Sequence, residues 1–414
     1  MAQIGWIDFS ISDRKKMSQA MSLIRPEGQL DELGIGRIRD GLANQLFPGI
    51  STIQTRAKYF FIVPYILRDY LYLTSREKSK TNSSRYLEER EHEIKNRLRE
   101  KYLGQNNTGI IGITLKESQR IVRQPSEIYW VGLNSFGCMD SGGLALAGFL
   151  RNLNQKNQQL NGRTKEDETD DDHDAGLDYE LQIKVPSTRP DWRENIDINL
   201  TKDEAIFLKK QLLDQRNPKL RESLLQQIFQ QTALLQCMIE SKNFAPFALR
   251  AVAIPALPQH LRKKLTLAHD FAEVMHGAHI LYNHVLQLHF FADDYEGKYL
   301  DEWQDWHASL TEQMIDAQQF HIADLDDWLS EGKYFVNKWW EYVQQSHIPD
   351  MEPLLQLIRL REFAVKGKKA RLKNSRNDFS EMALNRWIGL KPLEYRFANS
   401  KRIIKDMLNS VQDV

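Results

Sequence analysis

One uninterrupted helical pattern, LTLAHDFAEVMHGAHILYNHVLQLHFF over residues 265–291, constrains the chain more than any other stretch. At about 100° per residue, Phe271, Val274, Ala278, Leu281, Val285 and Leu288 fall on one side. His269, Glu273, His276 and Asn283 fall on the other, with His284 at its edge. A helix patterned in this way buries its apolar side against other helices.

Helix-start signals recur elsewhere. Ser51 and Gln54 stand at capping-box spacing ahead of a helix expected over 53–73, with a kink at Pro64. Ser84 opens SRYLEEREHEIKNRLREKYL, in which Leu87, Ile94, Leu98 and Tyr102 mark an apolar stripe among interleaved charges. Thr201 with Glu204 forms a second capping box, and Pro353 suits the first turn of a helix that runs to Gly367. NTGIIGITL reads as a short strand or turn. KESQRIVR reads as a helix, followed by a break at Pro125 and a second helix capped by Ser126; the pair fits a helix-turn-helix or ordinary α-packing. The tryptophans at 303, 306, 328, 339 and 340 are expected to be packing anchors. The fold class that follows is mainly α: multi-helical, with two or three packed helical units.

Between Lys165 and Glu180 nine acids face a single lysine in polar, low-complexity sequence. This acidic linker or loop, over 151–190, is expected to separate an N-terminal helical domain (1–150) from a central one (191–350). A basic C-terminal segment (351–414) would pack on the helices. Folding of the acidic loop over that basic surface would mask it from a competing polyanion and accounts for a formal net charge of zero from 56 basic and 56 acidic residues.

Several function classes fall away. The longest apolar run, Tyr59–Leu67, ends at Arg68 and Asp69 and is too short for the roughly 20 residues of a membrane span. The first residues lack the layout of a signal peptide. Cys138 and Cys237 have no metal-binding spacing and read as small buried hydrophobes in a reducing cytosol, so the expected location is cytoplasmic. The glycines at 34, 36 and 41 miss the spacing of a dinucleotide loop, and GIGRIRDG reads instead as a turn entering a short helix that ends near Phe47. No cofactor is indicated.

Two candidate sites remain. Glu273 and His276 have the Glu-x-x-His spacing of carboxylate-bridged metal sites, so His269, Glu273 and His276 form an alternative centre for a metal-dependent enzyme or nuclease. Histidines hydrogen-bonded at an interhelical seam produce the same letters. The stronger signal is basic: between Arg359 and Arg376 stand eight Lys or Arg and one acid, Glu362. Arg361, Lys366, Lys368, Lys369, Arg371, Lys373 and Arg376 are suited to neutralising a nucleic-acid backbone, DNA ahead of RNA. Arg37, Arg39, Arg56 and Lys58 would add a second grip, or pair with Asp31, Glu32 and Asp40.

The stretches GWIDFS (5–10), DELGIGRIRDGLANQLFPGISTIQTRAKYFF (31–61), PSEIYWVGL (125–133), AEVMHGAHILYN (272–283) and REFAVKGKKARLKN (361–374) resemble a prokaryotic family known as domain of unknown function 6361. The resemblance transfers no catalytic residue. It implies genomic company with helicases, phospholipase-D-like nucleases and other parts of antiphage defence loci. The expected function is therefore that of a non-enzymatic accessory subunit that binds nucleic acid and such partner proteins, away from any membrane.

Overall fold

The computed structural model describes residues 31–162, 182–291, 296–312, 330–345, 350–374 and 387–412. Fifteen α-helices account for most of them, so the protein is mainly α. In chain order these are α1 (Gly36–Leu46), α2 (Tyr59–Leu71), α3 (Ser75–Lys78), α4 (Ser83–Tyr102), α5 (Pro125–Ser135), α6 (Leu146–Gly162), α7 (Lys202–Leu213), α8 (Leu224–Gln230), α9 (Thr232–Glu240), α10 (Phe244–Val252), α11 (Gln259–Phe291), α12 (Lys298–Glu312), α13 (Ser330–Val343), α14 (Glu352–Lys366) and α15 (Phe397–Gln412). Extended pairing among the described residues is confined to a bridge between Met139 and Ile183. No helix among them is long and apolar enough to cross a membrane.

The chain forms two units, each discontinuous in sequence: unit 1 is Met1–Ile38 with Ala272–Pro392, and unit 2 is Arg39–Phe271 with Leu393–Val414. The division points fall inside α1, inside α11 and ahead of α15. The acidic residues between Lys165 and Glu180, and with them the proposed masking loop, lie outside the described residues.

Unit 2 is built around α2, whose residues from Tyr59 to Leu67 are all buried. A helix apolar on every side belongs in a core, and Phe60 meets Tyr129 and Phe136 edge-on, at 5.0 and 4.8 Å. The helix starts six residues later than capping spacing suggests. Gln54 turns back to accept from the Ser51 amide and donate to the Gly49 carbonyl, while the Tyr129 hydroxyl accepts from the Thr55 and Arg56 amides. These partners satisfy the amides that an earlier helix start would have used.

Arg56 and Lys58 then tie this start to distant helices. The Arg56 Nε lies 2.9 Å from Asp406 of α15, and its Nη atoms donate to the Thr108 carbonyl and Asn199. The buried Lys58 Nζ sits 2.7 and 2.8 Å from the two Glu204 oxygens. Glu204 also accepts from the Thr201 amide at 2.7 Å, completing the capping box read from the sequence at the start of α7.

The stretch KESQRIVR is not helical. The Lys95 Nζ binds the carbonyls of Lys116, Glu117 and Gln119, which a helix would have offered to its own amides. Helix α5 begins at Pro125, with Gln124 and not Ser126 as its cap. The helix-turn-helix alternative is therefore overturned. Ser126 instead donates its amide and hydroxyl to the buried Glu91, whose carboxyl burial pushes up to about 8. NTGIIGITL forms turns. Cys138 and Cys237 are buried free thiols, as expected.

In unit 1 the tryptophans pack on the middle of α11. Trp306 and Trp339 donate to the Glu273 and Val274 carbonyls at 3.0 and 2.9 Å, and their rings stack 6.2 Å apart. Trp303 and Trp340 are also buried, while Trp328 lies outside the described residues.

Replacing Lys58 by alanine leaves the Glu204 carboxylate buried without its counter-charge, which costs roughly 3–5 kcal/mol. Urea unfolding of the Lys58→Ala variant is expected to show that loss. A change below about 1 kcal/mol would contradict the assignment of Lys58 to the core.

Candidate nucleic-acid interface

Helix α14 enters with Pro353 in its first turn, as its sequence predicts, and ends at Gly367, whose φ of +56° turns the chain out of the helix. Two 3₁₀ turns follow, Gly367–Lys369 and Arg371–Lys373. Their anchors are the buried Ala370 and Leu372 together with one carboxylate. Glu362 is fully buried and accepts from the Arg371 amide at 2.7 Å, the Leu372 amide at 3.2 Å and the Tyr282 hydroxyl at 2.7 Å. The two amides open a short turn and lack partners within it, so the charged acceptor fixes them as a cap fixes a helix end. Burial, and then the nearby Glu362 carboxylate, push the Tyr282 hydroxyl well above its ordinary range and keep it a donor.

The cations of this segment divide by burial. Lys366 lies 2.8 Å from the buried Glu32, and the Arg371 Nε lies 3.6 Å from the same carboxylate. Arg361 donates to the Leu33 and Gly34 carbonyls and covers the Phe335 ring at 5.3 Å. Lys368, Lys369 and Lys373 are exposed and form no ion pair among the described residues; the Lys373 ammonium lies 5.0 Å over the Phe363 ring. Arg376 lies outside the described residues.

The second cation group does not assemble. Arg37 is exposed on α1, and Arg39 pairs with its neighbour Asp40 at 3.0 Å. Arg56 and Lys58 are committed to Asp406 and Glu204 within unit 2, which removes them from any phosphate grip. Asp31, an alternative partner for these cations, instead caps α1 by accepting from the Ile35 and Gly36 amides. Glu32 was missed as the partner of Lys366 and Arg371 because more than 330 residues separate them.

The polar side of α11 serves as a seam. Asn283 donates to the Ile388 carbonyl and accepts from the Ile388 amide, at 2.8 and 2.9 Å. The His276 ring stacks on Trp387, 5.9 Å away. His279 bonds the Met275 carbonyl, and Gly389 crosses the ring so closely, at φ +97°, that a Cβ there would stand 2.7 Å from its Cδ2. His269 pairs with the adjacent Asp270. Among the described residues no three His, Cys, Asp or Glu side chains are placed to hold a metal ion.

Burial holds His279 neutral and takes its ring down to about 4. An unfolded chain takes up this proton near pH 6.5, so between those values the unfolded state binds more protons. The His279 contribution is complete above pH 6.5 and falls by roughly 3 kcal/mol as pH drops to 4. Denaturant titrations across this range should show a shallower acid loss in His279→Gln than in the wild type; parallel losses would contradict the buried neutral ring.

A model described as a family of unknown function, DUF6361, matches residues 1–305. The basic turns after α14 lie beyond that match. No curated protein and no solved structure matches the chain. The matched region covers α1 to α11 and most of α12, well over half of the sequence, and on that ground the chain belongs to the DUF6361 family.

Proposed function

We propose that this protein binds a nucleic-acid backbone, DNA ahead of RNA, as a non-enzymatic accessory subunit of a prokaryotic antiphage defence system. The observation that carries this reading is the trio of Lys368, Lys369 and Lys373, exposed on two consecutive turns whose backbone is held from within by Glu362. A short rigid turn carrying three outward ammonium groups presents charge at fixed spacing, which suits phosphates and pays no further ordering cost on the backbone. Lys366 and Arg371, each two residues from the nearest of these lysines, add positive potential partly offset by Glu32. In this reading the protein is cytoplasmic and meets helicase or nuclease partners through other helix faces.

Three phosphate contacts give log K a slope of about −3 against log salt on duplex DNA. Replacement of Lys368, Lys369 and Lys373 by alanine is expected to weaken binding more than tenfold at low salt and flatten that slope. Gel-shift titrations at several salt concentrations read both effects. Equal binding by wild type and variant would end the assignment.

A further inference from the structure

The outward side of α14 carries more than charge. Leu360, 54% exposed, Phe363, half-buried, and Ala364, exposed, stand at helical spacing on one face, and α14 leads directly into the two turns that carry the three lysines. The Phe363 ring is open enough for the Lys373 ammonium to lie over it. Phosphate binding alone requires the cations and has no use for a half-exposed aromatic ring beside one of them.

Resting on the polyanion-binding reading above, the geometry points to single-stranded nucleic acid as the ligand of this face, with one base stacked on Phe363 and adjacent phosphates held by Lys368, Lys369 and Lys373. A duplex keeps its base faces stacked inside and offers only phosphates to such a surface. A single strand offers both, and base stacking on an aromatic side chain is tolerant of sequence. The exposed Lys373 exchanges its place over the ring for a phosphate as the base arrives, so the cation is reused and not displaced into solvent.

The test is fluorescence anisotropy of the full-length chain with a labelled oligothymidine, a duplex of equal length and heparin, a polyanion without bases, at two salt concentrations. The wild type is expected to bind the single strand about tenfold more tightly than the duplex. Phe363→Ala should lose about tenfold on the single strand with duplex and heparin binding unchanged, and Phe363→Tyr should keep wild-type affinity. Equal affinity of the wild type for both DNAs overturns the inference. So does a Phe363→Ala variant that is unaffected, as for a face that docks a partner protein, or that loses all three ligands equally. Salt-sensitive heparin and duplex binding in those cases leaves the backbone-binding reading standing; its absence in the wild type removes both.

Discussion

A single carboxylate organises the surface on which the functional reading rests. Glu362 has no solvent exposure, and its two oxygens take three donors: two main-chain amides of the turn beyond α14 and the hydroxyl of Tyr282 on α11. Leaving those donors unmatched costs about 1–3 kcal/mol for each buried group. The chain beyond α14 therefore takes the one shape that delivers both amides to Glu362. That shape buries Ala370 and Leu372 and turns Lys368, Lys369 and Lys373 outward.

Burial decides what the same residue types do in the two units. Arg56 and Lys58 sit at the start of α2 in a largely dry environment, where a cation needs bonded acceptors; Asp406 and Glu204 supply carboxylates, as three main-chain carbonyls do for Lys95. Lys366 and Arg371 stand between these extremes, half-withdrawn beside Glu32. Lys368, Lys369 and Lys373 have no such partner among the described residues and keep their charge for the solvent side. A count of basic residues in sequence does not distinguish these three situations, because it carries no information on which acid the fold brings near.

The fold class was legible because helical periodicity and capping chemistry are local. The long pattern at 265–291, the Thr201–Glu204 box and Pro353 each depend on residues within one or two turns, and each stands where the sequence placed it. The failures have a common cause in distant polar partners. The Tyr129 hydroxyl and the Lys95 ammonium capture backbone groups around residues 55 and 117 that local rules assign to helices. The site was half legible for the same reason. The basic segment was visible, but Glu362, the lone acid within it, gave no sign of being its organiser. The Glu-x-x-His letters on α11 fitted a metal site or an interhelical seam equally in spacing, and the letters alone gave no sign that the neighbouring His279 and Asn283 hold the backbone near Ile388 and Gly389.

The polar seam and the basic turns share one logic in unit 1: a buried side chain of α11 or α14 substitutes for secondary structure by bonding main-chain groups of an irregular segment. The most direct test of the account is heparin affinity of the Glu362→Gln variant, in which every cation is intact and the net charge is one unit more positive. Simple electrostatics predicts tighter binding. If Glu362 shapes the surface, the amide NH₂ of glutamine opposes one of the two turn amides, which bind different oxygens of the carboxylate, the lysines lose their fixed spacing, and affinity falls; affinity equal to or above that of the wild type would contradict the account.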